Sequence, residues 1–231
     1  MNNPKISVVM SVYNGEKFLK GAINSILSQT FTDFEFIIIN DGSTDKSLDT
    51  IKTYQDPRIK IISRENKGLT HSLNEGIKMS KGSYIARMDA DDISLPTRLE
   101  EQIKFLELNK EIAICGTWAK IIDEKGEEMG EYKTPINNEE IKRRIIFHNP
   151  FIHPSVMFKK EIMETVGLYN PKLKHVEDYE LWTRIVSKFK TANIPQFLLK
   201  YRQNKTGITS RNRSLMLLMG FVVRFLAIIR K

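Results

Sequence analysis

Apolar positions in the amino-terminal part of the chain alternate between short continuous runs and sets spaced three or four apart. Ile6-Ser7-Val8-Val9-Met10-Ser11-Val12 is such a run, rich in β-branched residues and stopped by Tyr13-Asn14-Gly15, which predicts a buried strand and its turn. Phe18, Leu19, Ala22, Ile23, Ile26 and Leu27 then recur at helical steps up to Gln29, giving a helix with one apolar face. The pair repeats. Phe34 to Asn40 is a second strand, ending at Asp41-Gly42-Ser43-Thr44-Asp45, and a helix through Leu48 and Ile51 follows with Ser43 or Thr44 as its N-cap. Ile59 to Ile62 is a third strand; Leu69, Leu73 and Ile77 mark a helix over Gly68 to Met79; and Ser83 to Met88, after Gly82, is a fourth strand. Strand and helix in alternation with short links predict a parallel, doubly wound α/β sheet with helices on both faces.

The pattern changes after Asp92. Leu99, Ile103, Phe105 and Leu106 define a helix with Pro96 near its first turn, and Ile112 to Ile122 is a longer strand that returns through Asp123-Glu124-Lys125-Gly126 as Met129 to Lys133. A helix over Glu139 to Phe147, a strand over Phe151 to Phe158 entered by a proline turn, a short helix over Glu161 to Val166 and a helix over Glu177 to Phe189 follow, so this half is mixed α+β. Leu215 to Val223 is apolar on all sides, and Arg224 separates it from Phe225 to Ile229 and the closing Arg230-Lys231. Crossing a bilayer takes about 20 apolar residues, so this segment reads either as a helix in a membrane interface, with Arg211, Arg213, Arg224, Arg230 and Lys231 around it, or as a helix packed on its own domain.

Composition narrows the class. A length of 231 residues with 41% hydrophobic content suits one domain with a sizeable core, plus an appendage at most. The formal charge of +8 is spread along the chain and not gathered into an aromatic-interleaved patch, which points to anionic small molecules or an anionic membrane surface and away from nucleic acid. The single cysteine, Cys115, lies in an apolar run, and a reducing compartment is the simpler inference. Met1-Asn2-Asn3-Pro4-Lys5 lacks the features of a signal peptide, so a cytoplasmic location, peripheral at the inner face of the membrane, is expected.

Candidate chemistry gathers at four strand ends: Ser11-Val12-Tyr13-Asn14, Asn40-Asp41-Gly42-Ser43, Arg64 to Gly68, and Asp89-Ala90-Asp91-Asp92. A parallel sheet brings all four to one edge, the usual ligand crevice of such folds. Three carboxylates in the four residues Asp89 to Asp92 repel one another unless a cation or water neutralises them, and in isolation such a motif is more often a solvated acidic turn, a balance that a strand end at the ligand crevice shifts. Neither GxGxxG nor GxxxxGK[ST] occurs, so no usual phosphate loop is available. A divalent metal on the carboxylates could hold a diphosphate instead, with Asp41 free to accept from a base imide. A second acidic group, Glu177-Asp178, opens a predicted helix, where free N–H groups orient a carboxylate and a general base could stand within reach of a hydroxyl.

Taken in order, Ser7 to Asn14, Asn40-Asp41-Gly42-Ser43-Thr44-Asp45, Asn66-Lys67-Gly68-Leu69, Asn74-Glu75-Gly76-Ile77 and Met88-Asp89-Ala90-Asp91-Asp92 resemble a family-2 inverting glycosyltransferase of the GT-A fold. The resemblance runs from about Lys5 to Arg202. It implies a GT-A domain over residues 1–205, with a nucleotide-sugar-binding half at 1–92, an acceptor-side half at 93–205, and an apolar basic helix over 206–231. It further implies that Asp41 contacts the base, Asp89 the ribose and Asp91 the metal, Mn²⁺ or Mg²⁺, with Ser11, Tyr13, Glu16 and Arg64 nearby. Asp178 becomes the general base with Glu177 beside it, and His153 of His153-Pro154-Ser155 lies close to the donor sugar and joins the metal-side candidates. One departure concerns Tyr201-Arg202-Gln203-Asn204, where Asn204 stands in the place of a metal-side His. The Gln-x-x-Arg-Trp signature of processive enzymes is absent, Leu181-Trp182-Thr183-Arg184 being nearest it. The resemblance therefore implies transfer of one sugar from a nucleotide-sugar, a UDP-sugar foremost, to a glycan or lipid-linked acceptor in surface polysaccharide synthesis. A nucleotidyltransferase, or a nucleotide-sugar-binding protein without catalysis, would share several of these residues.

Overall fold

The computed structural model describes residues 3–204 and 213–230; the expected boundary at residue 205, Arg211 and Lys231 lie outside them. The amino-terminal half is the parallel α/β unit that the hydrophobic pattern predicts. Strands β1 (Ile6–Val12), β2 (Phe34–Asp41), β3 (Ile59–Arg64) and β4 (Tyr84–Asp89) alternate with helices α1 (Glu16–Leu27), α2 (Ser47–Lys52) and α3 (Leu69–Met79). β1 lies between β2 and β4, all parallel, and β3 flanks β2. Along β1 the side chains of Ile6, Val8, Met10 and Val12 enter one core and Val9 the other, the period-two alternation of a strand covered on both faces. Register aligns the chemistry: Ser11 is level with Asp89, and Asp41 with Arg64.

The remaining elements extend this sheet. They are β5 (Ile93–Ser94), α4 (Arg98–Leu108), β6 (Ile112–Ile122), β7 (Glu128–Tyr132), α5 (Asn138–Arg144), a 3₁₀ turn (His153–Ser155), β8 (Met157–Lys159), α6 (Ile162–Val166), α7 (Glu177–Lys188), β9 (Lys190–Arg202) and α8 (Arg213–Ile229). The sheet runs β3-β2-β1-β4-β8-β6-β9-β5, with β7 paired to β6. β8 is antiparallel to both β4 and β6, so the sheet turns mixed where the chemistry passes from one half to the other.

Three local expectations change. The predicted strand over Phe151 to Phe158 is the 3₁₀ turn followed by the three-residue β8: Pro154 has no N–H for a ladder, and the Ser155 hydroxyl donates back to Ile152 O at 2.8 Å. Helix α2 begins at Ser47, not beside Ser43 or Thr44. Those two residues staple neighbouring turns, Ser43 Oγ accepting from Asn14 N–H at 3.0 Å and Thr44 N–H donating to Asn14 Oδ1 at 2.8 Å. Strand β9 has no counterpart in the sequence reading. Pro195 interrupts its pattern, and the ladder with β6 steps from the pair Thr117 and Ile194 directly to Trp118 and Phe197, leaving the proline in an irregularity where no N–H is needed.

Helix α8 packs on α7. Val223 and Ala227 are buried, and Arg230 Nη1 donates to Glu180 Oε1 at 2.9 Å and Thr183 Oγ1 at 2.6 Å. Its other face leaves Phe221, Phe225, Ile228 and Ile229 at least 60% exposed. Among the described residues no helix is long and apolar enough to cross a membrane.

Candidate active site

Asp41 closes β2 with its carboxylate 2% exposed yet fully engaged. It is ion-paired with Arg64 at the end of β3 and accepts from the N–H groups of Lys67 and Gly68, each at 2.9 Å. Arg64 is fixed in turn by Glu75 Oε2 at 2.8 Å and Ser72 Oγ at 3.0 Å, both on α3. Gly42 makes this arrangement possible: its φ is +73° and a Cβ there would stand 2.5 Å from Asn66 N, a position open to glycine alone. Tyr13 is 56% exposed at the mouth. Glu16 has a structural task, its Oε2 accepting from Lys46 N–H at 2.8 Å.

At the end of β4, Asp89, Asp91 and Asp92 each offer a carboxylate oxygen within 4.8 Å of the others. Burial, then Asp89, pushes the Asp91 carboxyl up to about 6. Asp92 is pushed well above the ordinary range by burial, then by Asp89 and Asp91. The Asp92 Oδ1 accepts from Arg202 N–H at 2.7 Å, whereas its Oδ2 is buried without a partner. Arg202 Nε also holds Asp91 O at 2.8 Å. Clustered hard oxygen donors, two of them raised in pKa by burial and by their neighbours and one with an orphaned oxygen, fit a divalent cation such as Mg²⁺ or Mn²⁺. His153 stands outside this group. It is half-buried, its Nε2 lies 2.9 Å from the Tyr169 hydroxyl, and its ring packs edge-on to Trp182 of α7. Burial, then Arg87, pushes the His153 imidazole well below its usual range, so it is neutral. Asn204 lies two residues beyond the end of β9, half-buried.

The second acidic pair sits at the first turn of α7. Glu177 is buried, and burial, then Asp178, pushes its carboxyl up to about 7. Asp178 is also raised by burial, while the Tyr179 N–H at 2.7 Å and the Asn149 amide at 2.7 Å pull it back down.

Arg87 links the two acidic groups, a role the sequence reading did not give it. It is buried in β4 and ion-paired with Asp89, and its charge opposes the upward shifts of Asp91, Asp92, Glu177 and Asp178 alike. Tyr169, buried beside His153, feels Arg87, Asp178, Glu177 and Asp89 together. An arginine inside an apolar strand was the available signal, since a buried charge needs a partner. Behind it Arg98, fully buried, clips β4 to the 3₁₀ turn by donating to Arg87 O at 3.1 Å and Pro154 O at 2.6 Å.

Comparison with known proteins bears on family and fold. The model of Glycosyl transferase family 2 matches residues 7–167. The O-antigen biosynthesis glycosyltransferase WbnJ of Escherichia coli is 39% identical over 85% of this chain and 79% of its own length. Among solved structures, TarS 1-349 of S. aureus in complex with UDP-GlcNAc superposes with a TM-score of 0.76 at 18% identity, over 96% of this chain and 66% of that one. The mannosyltransferase PcManGT of Pyrobaculum calidifontis, in complex with GDP-Man and Mn²⁺, gives 0.71 at 16% identity, over 100% and 66%. The chain thus spans slightly under two thirds of these structures, and at such identities the likeness is one of fold.

Proposed function

Starting from a chain that belongs to glycosyl transferase family 2, we propose that it transfers a single sugar, with inversion, from a nucleotide-sugar to a hydroxyl of a glycan or lipid-linked acceptor in surface polysaccharide synthesis. The observation that carries this reading is the placement of two separate acidic groups, Asp89 to Asp92 and Glu177-Asp178, in the field of one buried guanidinium, Arg87. Asp41 receives the base, Ser11 and Asp89 the ribose side, and Arg64, ion-paired with Asp41, keeps it aimed. A UDP-sugar, the donor class in the TarS complex, is the first candidate, and GDP-sugars are the competitor.

Asp91, with Asp89, would hold the divalent cation, with Asn204 a further candidate on that side, whereas His153, bonded to Tyr169, stands apart from it. Bound there, such an ion supplies positive charge to the leaving diphosphate. Glu177 keeps its proton up to about pH 7, which leaves Asp178 as the member of the pair to carry negative charge. The hydrogen bonds aimed at Asp178 place that charge there, because a bond to the ionised form favours ionisation. Asp178 takes the proton of the acceptor hydroxyl. The oxygen attacks the anomeric carbon as the bond to the nucleoside diphosphate breaks on the opposite side. Trp182 and Tyr169, packed on His153, wall the site.

The test is turnover of UDP-, GDP- and dTDP-sugars with Mn²⁺ or Mg²⁺ by the wild type and Asp178→Asn. The expected result is release of nucleoside diphosphate, reduced at least about a hundredfold in the variant with its melting temperature kept. Release of pyrophosphate from a nucleoside triphosphate would move the assignment to a nucleotidyltransferase, and full activity of Asp178→Asn would remove the base. The outward face of α8, with Phe221, Val222, Phe225, Ile228 and Ile229 exposed and Arg224 among them, suits a membrane interface from which a lipid-linked acceptor could be presented to α7.

A further inference from the structure

The segment between α5 and the His153 turn reaches into the acceptor side at one residue, Asn149. Its Nδ2 donates to Asp178 Oδ2 at 2.7 Å, while its Oδ1 accepts from Phe151 N–H at 3.1 Å. The second bond settles which end of the amide faces the carboxylate. With Oδ1 held by a backbone donor two residues on, only the NH₂ end is left for Asp178.

The segment carrying Asn149 is gripped from both sides. Before it, the Tyr179 hydroxyl of α7 donates to Ile145 O at 2.5 Å. After it, Pro150 O accepts from Asn193 Nδ2 at 3.1 Å, and the buried Phe151 ring packs edge-on to Trp182 with centroids 5.7 Å apart. Asn149 is therefore presented to the first turn of α7 by a frame built from α7 itself and β9.

We propose that Asn149 is a positioning residue for the reaction: it holds the Asp178 carboxylate in a single orientation. This rests on the reading of Asp178 as the base. With Oδ2 tied to the amide and Oδ1 accepting from Tyr179 N–H, rotation of the carboxylate is arrested and the acceptor sites left on its two oxygens are fixed in direction for the incoming hydroxyl. A base oriented in advance loses no time or energy in finding its proton, which is why misplacement of such a group by a fraction of an ångström is felt in kcat. The same bond favours the ionised carboxylate against the burial that raises it.

Four proteins test this: Asn149→Ala, Asn149→Asp, Asp178→Asn and the double variant Asn149→Ala/Asp178→Asn, each as the full chain with the donor identified by the nucleotide-sugar screen. Loss of one hydrogen bond to a charged group predicts that Asn149→Ala lowers kcat by about ten- to a hundredfold. Acceptor KM, and the thermal shift with UDP plus Mn²⁺, stay within about twofold of wild type, because the donor half is untouched. Asn149→Asp keeps the acceptor for Phe151 N–H and hence the loop, yet sets carboxylate against carboxylate, so its kcat falls further. In the Asp178→Asn background Asn149→Ala has less than about a twofold effect, which a merely structural role would not produce. Wild-type kcat in both Asn149 variants, with Asp178→Asn inactive, would overturn the positioning role and leave the base in place. Wild-type kcat in Asp178→Asn would overturn both.

Discussion

Crowding of carboxylates at Asp89 to Asp92 has a stability signature that needs no substrate. The Asp91 carboxyl rises from 3.8 to about 6, by burial first and by Asp89 second. A raised carboxyl means that the folded state binds more protons than the unfolded chain between those values, so stability falls as pH rises through the window. A rise of about 2.2 pH units at about 1.36 kcal/mol each is worth about 3 kcal/mol, absent below about pH 4 and complete above about pH 6. Asp91→Asn removes the titration and keeps the shape. Relative to wild type, the variant should therefore gain about 3 kcal/mol between pH 4 and pH 7, or about 6–12 °C in melting temperature for a chain of this size. Asp92, relieved of a like-charged neighbour in the variant, moves the same way and widens the gap. Carboxylates whose pKa is lowered, such as Glu35 and Asp56, contribute equally to both proteins and cancel. Scanning calorimetry from pH 4 to pH 7 measures the difference directly. Mn²⁺ at about a hundred times its Kd should return about 2.7 kcal/mol to wild type at pH 7 and little to the variant. A difference between the two proteins that stays flat across the range would refute the crowding, and with it the case for a cation there.

Two further outcomes follow from the donor turn and from α8. Gly42→Ala combines a left-handed backbone with a Cβ 2.5 Å from Asn66 N; it should cost about 2–3 kcal/mol and weaken UDP binding, read by denaturation and calorimetry, whereas a silent substitution would mean that the Asp41 loop yields freely. Phe221→Ser with Phe225→Ser alters only side chains that are 64% exposed, so the melting temperature should hold while binding to phosphatidylglycerol vesicles drops at least about tenfold; unchanged co-sedimentation would leave packing on α7 as the sole role of this helix.

What could be read from the sequence was whatever is contiguous in it. Asp41 and Asp89 to Asp92 each follow directly on an apolar strand run, so both their position at the sheet edge and their common face were legible. Glu177-Asp178 announced itself as an acidic helix start. The partners of these residues were hidden because they come from far along the chain: Asn149 meets Asp178 across 29 residues and Tyr169 meets His153 across 16. Strand β9 was hidden for a local reason, since Pro195 breaks the pattern that would have revealed it and only the ladder irregularity opposite Thr117 and Trp118 shows how a proline is tolerated there. Arg87 was visible but mute: its residue type gives no direction until β4 places it between the two acidic groups.

That placement explains how one site can carry Asp89, Asp91, Asp92, Glu177 and Asp178 and still fold. Two unit charges about 4 Å apart interact by about 4 kcal/mol at the effective dielectric of a protein surface, so several unpaired carboxylates would exceed what a domain of this size can bear. Arg87 takes Asp89 directly and opposes the rise of the other four, while Arg202 satisfies one oxygen of Asp92 and the backbone of Asp91. The balance remains acidic, and Asp91, Asp92 and Glu177 show it by holding protons at pH values where exposed carboxylates have lost them. A diphosphate would bring further negative charge to the same edge. Under the proposed function, with no phosphate loop and Arg87 already paired with Asp89, the diphosphate would be received together with a divalent cation held by Asp91. Loading of that cation would displace the proton that Asp91 holds up to about pH 6, and the acidic excess that burdens the free protein would then contribute to donor affinity.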